Sequence, residues 1–141
     1  MMTRRGKHPR SRGAAMVEFA IILPLLLLIL LWIVDFCRIF YAYTIITDCA
    51  RNGVIYAADS TADQQQSPYY VSGNFATSVT NAALADATNL TPTPTVTVSP
   101  ATPVANSAIT VTVTYQFGLI TNYFGFKSYT ITRSEQMNVS P

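Results

Sequence analysis

The sequence predicts an α+β protein in which a long N-terminal transmembrane helix extends out of the membrane and carries a small domain of one helix and about three antiparallel strands. Three observations point to it. A run of 21 residues, AAMVEFAIILPLLLLILLWIV, apolar but for the charge at Glu18, fills positions Ala14 to Val34. No glycine or proline then interrupts the chain from Leu25 until Gly53. From Ala108 to Phe117 the pattern changes to strict alternation, the period of a strand with one buried face.

Residues 1–13 form a basic leader. Arg4, Arg5, Lys7, Arg10 and Arg12 are five of the nine basic residues and precede every acidic one; beyond Arg12 four basic residues face seven acidic ones, a balance of −3. The overall charge of +2 is therefore a property of the tail, not of the domain, which argues against a nucleic-acid-binding surface. Residues 14–34 suffice for one span, since about 20 residues at 1.5 Å rise cover a hydrocarbon core of about 30 Å. Five basic residues lie before the span, whereas Asp35 and Arg38 just after it cancel, so the N-terminus is expected on the cytoplasmic side. A cleaved secretory signal competes with this reading, but its apolar region is shorter and a small-x-small cleavage site follows it. Here Asp35-Phe36-Cys37-Arg38-Ile39-Phe40-Tyr41 offers none. The Arg4-Arg5 pair is a poor match to a twin-arginine signal for the same region.

Residues 35–58 are expected to continue the helix outside the membrane. Ile33, Cys37, Phe40, Thr44 and, after a break, Thr47, Ala50, Val54 and Ala57 recur at steps of three or four, giving one helix of about 65 Å from Ala14 to Ala58. Cys37 and Cys49, the two cysteines, are about 18 Å apart on such a helix and cannot bridge one another. They read as two small buried apolar residues, with a disulfide between subunits or a lipidated thiol as the alternatives. Residues 59–73, rich in turn formers, read as a linker. Within 74–141, Asn74 to Ala87 reads as a helix with Phe75, Val79, Ala82, Ala83 and Leu84 on its buried side and Ser72 or Asn74 as cap. Strands follow at Thr95–Ser99, Ala108–Phe117 and Ser128–Met137, with Gly118–Phe126 as a turn region. Ile109, Val111, Val113, Tyr115 and Phe117 share one face of the central strand, and Tyr129, Ile131 and Arg133 share one face of the last. Pro92, Pro94, Pro100 and Pro103 confine Thr91–Pro103 to an edge strand or an extended linker.

Catalytic chemistry has no foothold in the sequence. After the long helix the charged residues are Asp59, Asp63, Asp86, Glu135, Lys127 and Arg133, and the one histidine, His8, lies in the leader. No GxSxG, P-loop or HExxH spacing occurs, and no Cys/His cluster suggests a metal; neither an enzyme nor a cofactor is expected. Asn89-Leu90-Thr91 and Asn138-Val139-Ser140 fit the glycosylation triplet, a pattern short enough to arise by chance. Glu18 is different. A carboxylate a few positions into a lipid-spanning helix costs on the order of 2.5 kcal/mol or more unless it is paired or reaches the interface.

Gly13 closes the basic stretch, Glu18 stands fifth after it, and Phe19 follows. This arrangement resembles the cleavage site of type IV prepilin-like proteins, in which a dedicated membrane peptidase cuts after the glycine. Arg12-Gly13, Val17-Glu18-Phe19-Ala20, Leu23-Pro24, Asp35-Phe36, Arg38, Phe40-Tyr41 and Ala50-Arg51 followed by Gly53 together resemble, over 12–58, the TadE-like pseudopilins of tight adherence (Flp) pilus systems. The family pattern often has an acidic residue after the Ala-Arg pair, where this chain has Asn52. The resemblance implies processing between Gly13 and Ala14, pairing of Glu18 with the new α-amino group of a neighbouring subunit, a helix kink at Pro24, and helix packing or interfacial pairing through Asp35, Arg38, Phe40, Tyr41, Ala50, Arg51 and Gly53. Packing with related subunits is expected to use the small and apolar face after Phe40. The implied setting is the bacterial inner membrane, with the domain periplasmic or incorporated into a pilus. The implied partners are a prepilin peptidase, other pilins and pseudopilins, and the pilus assembly platform. The function implied is a minor pseudopilin in assembly or initiation of a type IVc-like pilus, in a system serving adhesion and biofilm formation. The alternative is a membrane-anchored extracytoplasmic adhesin or binding protein with an uncleaved signal anchor.

Overall fold

The computed structural model describes residues 12–120 and 128–141; the leader residues before Arg12 and most of the turn region expected at Gly118–Phe126 lie outside them. Helix α1 is a single element from Arg12–Ala58, 47 residues long and continuous through Pro24. Two shorter helices follow, α2 (Thr61–Gln66) and α3 (Phe75–Leu84), then strands β1 (Thr95–Ser99), β2 (Ala108–Phe117) and β3 (Tyr129–Asn138). The strands form one antiparallel sheet in the order β1-β2-β3, with Val96 opposite Val113 and Val113 opposite Arg133. The long helix and antiparallel three-stranded domain are those the periodicities predict.

The core lies where the second half of α1 meets the sheet and α3. Alternation along β2 buries Ile109, Val111, Val113, Tyr115 and Phe117 on one face. Its threonines face outward and bond across the strands, Thr112 to Ser134 and Thr114 to Thr132 at 3.5 Å. Val79, Ala82 and Ala83 of α3 are buried, with α3 packed chiefly on α1, while Phe75 and Leu84 are half-buried against the core. The cap of α3 is Asn74, whose side chain accepts from Thr77 N at 3.0 Å. On β3 only Ile131 of the expected inward set is buried; Tyr129 is exposed and Arg133 half-buried, because β3 is an edge strand paired on one side only.

The segment expected to be a linker contains structure. Ser60 caps α2 by accepting from Asp63 N at 3.3 Å, which turns the chain back beneath the end of α1. There the buried Gln64 side chain donates to the carbonyls of Tyr56 at 3.1 Å and Asp59 at 2.9 Å, and Ser140 N donates to Ala58 O at 2.8 Å. A helix end leaves its last carbonyls without intrahelical donors, and leaving one unsatisfied in a buried place costs about 1–3 kcal/mol. Gln64 supplies those donors, although the sequence around it is merely polar.

Candidate functional site

Two regions of α1 behave differently. From Gly13 to Leu30 every described side chain is exposed, and none of the most apolar 18-residue window is buried. This is a helix long and apolar enough to cross a membrane, and over that window its apolar surface is uncovered by the other described residues. Gly13 and Ala14 open it, Glu18 and Phe19 project from it, and no described residue pairs with Glu18.

Burial begins at Asp35 and runs through Ala42, Ile46, Cys49, Ala50, Gly53, Val54 and Ala57. The stripe differs in phase from the expected one over its first half: Ile33, Cys37, Phe40 and Thr44 are exposed. Cys37 is thus not a buried apolar residue, whereas Cys49 is. The physical reason is that apolar residues surround this stretch of helix, so spacing alone does not select the side that meets the domain. The small face after Phe40, expected to receive other subunits, is covered by the chain's own α3 and sheet. A Cβ placed on Gly53 would lie 3.0 Å from both Ala83 Cβ and Val111 Cγ1, so three elements meet there at the closest approach. Ala50 is buried beside it and Arg51 points to solvent. Asn52, at the position where the resemblance leads one to look for an acid, donates to Asp86 Oδ2 of the α3–β1 connection at 2.8 Å.

Asp35 and Arg38 do form a pair on one helix, at 3.2 Å, but not the exposed interfacial pair of marginal value that their spacing alone suggests. Asp35 is 4% exposed, and the same Oδ1 accepts the backbone N–H of Ile120 at 3.0 Å. The carboxylate thus clamps the chain beyond β2 onto the helix one position past the apolar run. Arg38 places its guanidinium 4.9 Å from the centroid of the Phe117 ring, and Arg133 of β3 lies 4.0 Å over Tyr43. Two cation–π contacts thus join sheet to helix beside the clamp. A carboxylate and a distant backbone amide share no sequence signal, so of these partnerships the Ile120 clamp and the two cation–π contacts were not legible beforehand. On the open side of the helix, Phe36, Phe40 and Tyr43 form a ladder of stacked rings at 6.3 and 6.4 Å, with Tyr41 also exposed.

Nothing here assembles chemistry on a substrate. Among the described residues no three His, Cys, Asp or Glu side chains converge as metal ligands. In a groove lined by Asn52, Tyr56, Asp59, Ser67, Tyr69 and Asp86, the Ser67 hydroxyl accepts from Tyr69 N at 3.3 Å and Asp86 accepts from Asn52, which is no nucleophile–base pairing.

Residues 13–54 match the family described as TadE-like protein. No curated protein and no solved structure matches the chain.

Proposed function

This chain is TadE-like through residues 13–54, and from that premise we propose that it is a minor pseudopilin that takes part in assembling or initiating a tight adherence pilus. The observation that carries the reading is the lone carboxylate of Glu18 on an otherwise apolar, uncovered helix inside the matched region. A prepilin peptidase cuts between Gly13 and Ala14 after insertion, which removes the basic leader that oriented the chain. The ammonium so created on one subunit pairs with Glu18 of its neighbour, offsetting the cost of both charges in lipid. Phe19, exposed next to Glu18, packs at the same contact, and the helix adjusts its path at Pro24.

Since Ala50 and Gly53 are committed to the chain's own core, subunits associate through the exposed face of α1 between Ala14 and Tyr41, from which the buried Asp35 is turned away, with Phe36 and Phe40 at its outer end. The chain is a non-catalytic subunit held by a single membrane helix, with the domain in the periplasm and the assembly platform and other pilins as partners. The test compares the mass of the protein from cells with and without their prepilin peptidase. Loss of the first 13 residues only when the peptidase is present is expected; an intact Met1 in both favours the anchored adhesin instead. Glu18→Ala is expected to insert and be cleaved yet leave cells without pili, and normal piliation of that variant would remove the charge-pairing step.

A further inference from the structure

We propose that the protein meets the bilayer at two places: through α1, and through the end of the domain around Ile120, which rests in the outer headgroup layer. The inference rests on residues 14–34 spanning the membrane. A bilayer of about 40–45 Å with a hydrocarbon core of about 30 Å leaves roughly 5–8 Å of headgroups on each side. At 1.5 Å per residue, that layer takes up about the first four or five residues after the span. Asp35 is the first of them. Its hydrogen bond to Ile120 N therefore holds the start of the β2–β3 connection at headgroup height, with no spacer between domain and membrane.

The side chains at this height suit that layer. Ile120 is 44% exposed and Phe36 67%, an apolar surface that water would penalise and an interface accommodates, and Phe40, 64% exposed, follows just above the layer. Arg38, half-exposed and bonded to Asp35, is within reach of lipid phosphates. Burying Asp35 under Arg38 and an amide N–H removes the one acidic group that would resist close approach to an anionic surface. Tyr129, exposed and paired in register with Phe117, marks the next level up.

The opposite end of the domain provides an internal control. Val104 is 59% exposed, yet its loop is bonded to the C-terminal segment, Asn106 N to Val139 O at 3.1 Å, and Ser140 N bonds Ala58 O. Ala58 lies 24 residues beyond Val34, or about 36 Å along the helix.

The experiment uses the whole protein in phosphatidylcholine–phosphatidylglycerol vesicles containing lipid brominated near the top of the acyl chain, with tryptophan emission as readout. Native Trp32 reports the anchor. In a Trp32→Phe background, Ile120→Trp is expected to be blue-shifted and to lose intensity to the bromines, Tyr129→Trp to lose less, and Val104→Trp to emit as in water without loss. Adding Asp35→Ala is expected to weaken the quenching at Ile120→Trp. Solvent-like, unquenched emission from Ile120→Trp beside a quenched Trp32 would overturn the second contact while leaving the anchor intact. Equal quenching at Ile120→Trp and Val104→Trp would also overturn it, since the whole domain would then lie on lipid. An unquenched Trp32 would overturn the spanning helix and this inference with it.

Discussion

Cys49 and Cys37 share a helix and have opposite surroundings. Burial pushes the Cys49 thiol up from its ordinary 9.0 to about 11, and the nearby carboxylates of Asp86 and Asp48 add to the shift. The sign of the consequence follows from proton binding. The folded state keeps a proton that the unfolded state has lost, so this contribution to stability is complete below about pH 9 and disappears as pH rises toward 11. Denaturation midpoints at pH 8 and pH 10.5 are expected to fall more for the native protein than for Cys49→Ala, and parallel losses would remove the effect. A cross-link to a neighbouring subunit has to start from the exposed Cys37, because Cys49 is closed off by the core. Residue by residue, the sequence singled out Glu18 and Gly13 through their register, a local property. It was silent on Asp35 with Ile120 and on Gln64, whose partners are brought to them by the fold.

At the level of elements, the contact between α1, α3 and β2 is set by Gly53. Ala is already tight there, since its Cβ would stand 3.0 Å from two neighbours, although replacing a helical glycine returns about 1 kcal/mol of propensity. Two further methyl groups have no room to relax into. Gly53→Val is expected to destabilise the domain by about 2 kcal/mol or more, read as a lowered denaturant midpoint with Gly53→Ala close to native. A midpoint unchanged by valine would mean that the elements separate easily. Periodicity revealed α1, α3 and all three strands because each presents one face to the core, and a one-sided environment is written as spacing. It missed α2, six residues held by a cap and by Gln64 instead of an apolar stripe. It also misphased α1 between Ile33 and Thr44, where ring ladder and core both draw on apolar residues.

Among the described residues, the buried cluster runs from Ala42 to Val139 and includes none of residues 14–34. A chain starting at Asp35 is therefore expected to fold as a soluble domain with cooperative thermal unfolding. A molten product would show that the apolar half of α1 contributes to the core after all. One helix thus has two surroundings, its first half exposed and apolar and its second half spent on its own domain.

The sequence by itself determined the apolar run, the long helix, the antiparallel strands and the TadE-like match that includes Gly13 and Glu18, because hydropathy, period and motif spacing are carried by residues near one another along the chain. Only the tertiary structure decided which side of α1 is covered, that Ala50 and Gly53 face inward, and that Asp35 is a buried clamp on Ile120. Those outcomes depend on groups up to 85 positions apart meeting in space, and a distance of that kind leaves no trace in local pattern.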